Sequence, residues 1–79
     1  MEIASSKLNI GEMAIITNVN VDAIPLKLIE MGCLPSNTIK LLLKAPLGDP
    51  YYFIINDSHV AIRKETAENI IVEKLVING

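Results

Sequence analysis

The sequence predicts a small, mainly β domain, a barrel of about five strands with one α-helix inserted after the first strand. The chain has 79 residues, which suffices for a single domain spanning residues 1–79. Hydrophobic residues make up 51% of it, and thirteen Ile, nine Leu and five Val outnumber two Tyr and one Phe. Branched aliphatic side chains pack well on pleated strands. The apolar runs are also short and separated by turn residues, which is typical of strands.

The first half of the chain predicts a turn, a strand and the helix. Residues 8–11 form an initial turn, and the Ile- and Val-rich residues 13–21 form the first strand. Asp22 is a candidate N-cap for a helix over residues 23–31. Gly32 ends this helix because glycine readily adopts the left-handed conformation that terminates helices.

The second half predicts four more strands. Residues 37–44 alternate like a half-buried strand, with Ile39, Leu41 and Leu43 on one face. Residues 45–50 contain two prolines and a glycine and form a turn. The remaining segments are a strand over 51–55, a reversal at 56–58, an antiparallel strand over 59–63, a single helical turn within 64–69 and a closing strand over 70–77.

The predicted helix carries two apolar stripes. Ile24, Leu28 and Met31 form one stripe, which can pack on the barrel, and Leu26, Ile29 and Cys33 form a second, roughly opposite stripe. A surface helix on a small domain normally has a single apolar face. The second stripe therefore predicts a face for a partner or for self-association. Two alternatives are that a terminal segment of the chain covers it, or that the helix is wrongly assigned.

The residues that could carry chemistry are few. Cys33 and His59 are the sole thiol and imidazole, the acids are scattered, and no glycine-rich phosphate loop is present, so we expect no enzymatic activity. A metal site could use Cys33, His59 and Glu30 if the fold brought them together, and a site shared between two chains would be easier to assemble. The net charge of −2 disfavours nucleic acid as a partner.

The location of the protein is predicted from the same composition. The longest apolar run is residues 51–55, far short of the roughly 20 residues that a membrane helix needs. The N-terminal residues do not resemble a secretory signal, and a single unpaired cysteine suits a reducing compartment. We therefore expect a cytoplasmic protein that does not insert directly into the membrane.

Three motifs together resemble a known family. Residues 27–35 (KLIEMGCLP), 45–50 (APLGDP) and 60–63 (VAIR) are similar to FeoA, the small bacterial ferrous iron transport accessory protein. The resemblance extends over about residues 8–72. It implies an SH3-like β-barrel and a cytoplasmic accessory role to FeoB, a large membrane transporter with a GTP-binding domain. The domain type also resembles the C-terminal module of DtxR-type repressors, but this chain has no room for their DNA-binding half.

One turn departs from the family pattern. Where that pattern reads Leu-x-Pro-Gly, this chain has Leu34, Pro35, Ser36 and Asn37. If the turn needs a positive φ at Ser36, the backbone is strained there, since residues other than glycine rarely adopt it.

The resemblance and the helix stripe predict a non-enzymatic interaction domain that docks on FeoB and regulates ferrous iron uptake. Leu26, Ile29 and Cys33 form the first candidate contact surface, and the loop with Leu47 and Asp49 forms the second. As alternatives, Leu47 covers the end of the barrel and Asp49 shapes the turn through its own side chain.

The partner could recruit the domain to the inner face of the membrane. A homodimer of this chain is a further expected possibility. The rival function is a metal-responsive domain that binds a transition metal, Fe²⁺ or Zn²⁺, at a site shared between chains. No cofactor is expected apart from such weak metal binding, and no established site residues follow from the family resemblance.

Overall fold

One antiparallel sheet dominates the computed structural model, which describes residues 1–75. Within these residues its strands are β1 (Glu2–Ala4), β2 (Met13–Val19), β3 (Thr38–Lys44), β4 (Tyr51–Ile55), β5 (Ser58–Ile62) and β6 (Ile70–Lys74). They are accompanied by a 3-10 turn (Ser5–Lys7) and the helices α1 (Leu26–Glu30) and α2 (Lys64–Ala67). The strand order β1-β6-β2-β3-β4-β5 places β1 and β5 at the edges of the sheet. This architecture confirms the predicted fold class.

The core lies on the inner face of the sheet. Strand β4 shows the expected period of two, with Tyr51, Phe53 and Ile55 buried and Tyr52 exposed. The Phe53 ring is fully buried. The aliphatic side chains around it come from most of the described elements: Leu8, Ala14, Ile16, Leu28, Ile39, Leu41, Ile62, Ile70 and Val72.

The N-terminal strand β1 was not predicted. It is only three residues long, too short for an alternating pattern, and it forms by pairing with β6, where Ile3 lies opposite Val72. The next turn of chain is tied to the second helix, since the buried Ser5 hydroxyl donates a 2.6 Å hydrogen bond to the Ala67 carbonyl. Strand β6 ends at Lys74, and residues 76–79, including the end of the predicted closing strand, lie outside the described residues.

The helix α1 is shorter than predicted, and Asp22 does not cap it. It begins at Leu26 with Pro25 at the N-cap position, while residues 21–23 form a turn. The physical reason is Pro25, because the residue before a proline disfavours the helical conformation. Ile24 therefore cannot continue a helix into Pro25, and the prediction of residues 23–31 was wrong at its start.

A bulge in β3 reverses the expected orientation of one leucine. Ile39 and Leu41 are buried as predicted, but Leu43 is 48% exposed. The pairing with β4 shifts between Leu41 and Leu43, so one residue of β3 has no counterpart and the alternation changes face. The prediction that all three residues share one face was therefore wrong.

In the described residues, two turns contain residues other than glycine with positive φ: one at Ser36 and one at Asn56 and Asp57. Ser36 has φ 81°, which confirms the predicted conformational strain at this position. Its N–H donates to the Ile16 carbonyl at 2.8 Å, and the neighbouring Asn37 side chain donates to the Gly32 carbonyl at 2.8 Å. These two hydrogen bonds hold the turn in place between α1 and β3.

Candidate functional site

The outer side of α1 is only partly available for contact. Leu26 is 67% exposed, and nothing within residues 1–75 covers it. Ile29 is half-buried and packs against the core, while Leu28 is buried. The predicted second stripe is thus reduced to one well-exposed side chain at the start of the helix.

Cys33 does not belong to a surface stripe, because the helix ends before it. The Gly32 N–H donates to the Ile29 carbonyl at 3.0 Å and the Cys33 N–H donates to the Leu28 carbonyl at 2.9 Å. With Gly32 at φ +104°, these bonds form a Schellman motif, which turns the chain inward. Cys33 is fully buried, and this burial raises the pKa of its thiol to about 11. The prediction that Cys33 lies on the contact surface was wrong.

The loop between β3 and β4 presents an apolar tip. Leu47 is 97% exposed, so the alternative that it covers the end of the barrel is wrong. The loop is closed by hydrogen bonds from the Gly48 N–H to the Ala45 carbonyl at 2.7 Å and from the Ala45 N–H to the Pro50 carbonyl at 3.0 Å. Its tip is therefore presented on a hydrogen-bonded turn.

Asp49 joins this loop to the beginning of α2. Its carboxylate accepts a 2.8 Å hydrogen bond from the Lys64 backbone N–H and lies 3.9 Å from the Arg63 guanidinium. The Lys64 N–H is one of the helix donors that have no partner inside the helix. The Asp49 side chain therefore bonds to the distant start of α2. The alternative, that it shapes its own turn, is not what the structure shows.

Because the Leu43 side chain is exposed, it completes an apolar row across three strands. Leu43 lies opposite Tyr52 in the β3–β4 pairing, and Tyr52 lies opposite Ala61 in the β4–β5 pairing. Leu43 is 48% exposed, Tyr52 is 39% exposed and Ala61 is exposed. Leu43, Tyr52 and Ala61, together with Leu47 in the connecting loop, are hereafter called the outer row. The sequence indicated Leu47 but not the three strand residues of this row, since the bulge that exposes Leu43 depends on pairing with β4.

A groove lies between α1 and the edge of β5, beside the outer row. Its volume is about 350 Å³. Its lining residues are Pro25, Lys27, Leu28 and Met31 from α1 and its ends, residues 60–62 from β5, and Arg63 and Thr66 beyond it. Ala61 and Arg63 also line a second hollow, together with Asp49 and Pro50. The groove beside α1 and the hollow beside Asp49 and Pro50 therefore share Ala61 and Arg63.

The proposed metal ligands are not brought together. Residues 1–75 contain no group of three or more His, Cys, Asp or Glu side chains placed to hold a metal ion. Cys33 is buried, whereas Glu30 and His59 are exposed on α1 and β5. The high pKa of the Cys33 thiol further disfavours the thiolate that a metal would need.

In the part of the chain that the structure describes, no helix has the length and apolar character to cross a bilayer.

Comparison with known proteins identifies the family. The FeoA domain pattern matches residues 6–74. The chain belongs to the FeoA family. It is 38% identical over 75 residues to a Porphyromonas gingivalis fusion protein of Fe(2+) transport protein A and the Fe(2+) transporter FeoB. This alignment covers 94% of the chain but only 9% of the length of that curated relative.

Two solved FeoA structures support the assignment. The crystal structure of an iron uptake regulatory protein (FeoA) is 32% identical with a TM-score of 0.79, covering 95% of this chain and 99% of the other. The solution structure of the Chlorobium tepidum FeoA is 30% identical with a TM-score of 0.84, covering 98% of this chain and 74% of the other.

More distant structures are similar in fold alone. A Stenotrophomonas maltophilia FeoA, solved in complex with zinc and described as an SH3 domain protein, is 24% identical with a TM-score of 0.74 and covers 92% of this chain. The T. acidophilum IdeR is 20% identical with a TM-score of 0.75, and the match spans 34% of that chain. The fold thus confirms the expected likeness to SH3 domains and to part of the DtxR-type repressors.

Proposed function

We propose that this FeoA domain is a non-enzymatic accessory protein of ferrous iron transport that docks on a FeoB-type transporter and regulates it. The observation that carries this proposal is the relative in which a FeoA domain and FeoB form one polypeptide. A fusion keeps the two parts at a high effective concentration, and separate chains need a binding surface to achieve the same association. The domain would act on the cytoplasmic side, at the inner face of the membrane.

The surface that we propose for docking combines the outer row with Leu26. Exposed single apolar residues are common on protein surfaces, but adjacent ones that join into a patch are typical of interaction sites. Leu43, Tyr52 and Ala61 are neighbours by strand register. Ala61 also lines the groove, together with Lys27 and Leu28 of α1. The hydrogen bond that the Asp49 carboxylate accepts from the Lys64 N–H fixes the loop that carries Leu47 to the start of α2.

Co-purification with the transporter tests this proposal. Leu26→Glu replaces an exposed leucine that packs little against the core, so the domain should stay folded. If Leu26 is a central contact, the change should weaken binding by about 2 kcal/mol, roughly thirtyfold. Ile29 is a poorer test position because it packs against the core.

Ile10→Glu is the matched control. Ile10 is 61% exposed, close to the value for Leu26, but lies in the turn before β2. The control should co-purify normally. Equal binding by both variants and the unaltered domain would remove Leu26 from the contact surface, and failure of the unaltered domain to bind would contradict the docking role.

The proposed role requires no bound metal. Adding Fe²⁺ at millimolar concentration under anaerobic conditions should leave the NMR signals of Glu30, Cys33 and His59 unchanged. Saturable shifts at two or more of these residues, or a metal-dependent dimer in sedimentation, would instead support the metal-responsive function.

A further inference from the structure

The outer edge of β5 carries backbone groups that have no strand partner. Within residues 1–75, β5 pairs with β4 alone. Asn56 and Asp57 have φ 48° and 68°, so they form a two-residue turn of the type that closes on a hydrogen-bonded pair, which includes Ser58. Hydrogen-bonded and non-hydrogen-bonded pairs alternate along an antiparallel ladder. The N–H and C=O groups of His59 and Ala61 therefore point away from β4.

The groove described above opens onto this edge. Val60, Ala61 and Ile62 are consecutive in β5 and all line it. Alternate residues of a strand face opposite sides, so this lining indicates that the strand presents its edge. The buried Leu28 and the half-buried Val60 contribute apolar lining. A Cβ on Gly32 would lie 2.8 Å from the Asn56 Cβ, so the end of α1 abuts the β4–β5 turn. The end of the helix thus lies beside the β4–β5 turn, while His59 and Ala61 on β5 are exposed.

The charged side chains that line the groove are both positive. Lys27 and Arg63 are its charged lining residues, although the whole chain carries a net charge of −2. Asp49 neutralises Arg63 only weakly, because their 3.9 Å ion pair is long and exposed. Carboxylates on an occupant would therefore be favoured at both positions.

We propose that an extended, acidic segment of the partner polypeptide adds to the edge of β5 as a further strand. The main chain would pair with His59 and Ala61, and alternate side chains would face the apolar lining or the rim cations. This inference rests on the docking role proposed above and specifies the kind of segment that the domain recognises.

A capped heptapeptide that alternates valine with glutamate tests the strand addition directly. Titrated into the isotope-labelled domain, it should shift the amide signals of His59 and Ala61 and slow their hydrogen exchange. A peptide with lysine in place of glutamate should bind at least about fivefold more weakly, because Lys27 and Arg63 would repel it. No binding at millimolar peptide, or equal binding of both peptides, would overturn the proposal.

N-methylated versions of the peptide separate main-chain pairing from adhesion by side chains. Methylation of every second backbone nitrogen removes the donors on one edge of an extended peptide. Methylation of the odd-numbered nitrogens and methylation of the even-numbered nitrogens block opposite edges of the peptide. One of the two peptides should not bind, and the other should bind within about twofold of the unmethylated peptide, since only one edge meets β5. Equal binding in both registers would exclude strand addition, whatever the stability of any protein variant.

Ala61→Pro tests the same edge from the side of the domain. The Ala61 N–H points away from β4, so proline removes no hydrogen bond of the sheet, and edge strands tolerate it at such positions. The folded variant should bind the peptide at least about tenfold more weakly, whereas the control Ala61→Thr, which keeps the N–H, should bind normally.

Co-purification with FeoB distinguishes strand addition at β5 from the more general docking role. If the folded Ala61→Pro domain still co-purifies with FeoB, docking stands and strand addition is wrong. If the unaltered domain does not co-purify, the docking role fails with it. A dimer of this chain that Ala61→Pro dissociates would identify a second copy as the occupant and overturn the proposed acidic segment.

Discussion

Burial of the Cys33 thiol makes the stability of the domain sensitive to alkaline pH. Its pKa rises from an ordinary value of 9.0 to about 11 in the folded state. Below pH 9.0 the thiol is protonated in both states, so the free energy of unfolding is unaffected. Between pH 9.0 and 11 it ionises in the unfolded chain alone, which favours unfolding by up to about 1.4 kcal/mol per pH unit.

Urea unfolding of the unaltered domain and of Cys33→Ala over this pH range checks the effect. The two proteins differ at Cys33 alone, so any difference between their pH dependences comes from the thiol. The free energy of unfolding should therefore fall more steeply with pH in the unaltered domain. Parallel curves would show that the thiol ionises equally in the folded and unfolded states.

Ser36 is the second residue whose environment has a measurable consequence. At its φ of 81°, a residue with a Cβ is strained by about 1–2 kcal/mol. Glycine avoids this strain, but part of the gain is offset because glycine has more conformational freedom to lose on folding. Ser36→Gly should therefore stabilise the domain by about 0.5–1 kcal/mol, seen as a higher urea midpoint at an unchanged slope. Ser36→Ala, which keeps the Cβ, should give no such gain, and equal midpoints for all three proteins would contradict the strain.

At the scale of elements, the end of α1 depends on Gly32. It adopts φ +104°, and a Cβ there would also meet Asn56 at 2.8 Å, which is too close without a shift of the backbone. Gly48 has a similar φ of +86° but has no atom within 4 Å of the Cβ position. The two glycines therefore separate the cost of the backbone conformation from the cost of the collision.

Gly48→Ala should destabilise the domain by about 1 kcal/mol, and Gly32→Ala by about 2–3 kcal/mol, because overpacking is added to the backbone cost. Chemical denaturation measures both. In the double variant Gly32→Ala, Asn56→Gly the collision is removed, so the two changes should be non-additive. Equal losses for the two single alanine variants would show that α1 does not press on the β4–β5 turn.

The elements also show how far the sequence is informative. Strands β2 to β5 were predicted to within two residues, because their apolar patterns and the turn residues between them are local features. The position of Cys33 could also have been inferred, since Gly32 ends the helix and helical spacing no longer applies beyond it. The apolar stripe failed at Cys33 because the helical pattern was extended past that end.

At the scale of the whole molecule, the features that matter for docking arise from pairing between distant segments. The bulge that exposes Leu43 requires β4, and the edge position of β5 follows from the order of all six described strands. The groove requires α1 to stand beside a strand more than 25 residues later in the chain. Local sequence patterns contain none of this information: they indicated Leu26 and Leu47 as contact residues but not the outer row or the edge of β5.

Mapping the surface of the domain that changes when FeoB binds tests the docking role most directly. With an isotope-labelled domain and the transporter in lipid nanodiscs, NMR signals of Leu26, Leu47, Tyr52 and Ala61 should broaden or shift first. Signals of the exposed Ile10 and Met13, which lie outside the proposed surface, should stay sharp. Changes confined to Ile10 and Met13, with none at the outer row or Leu26, would contradict the account.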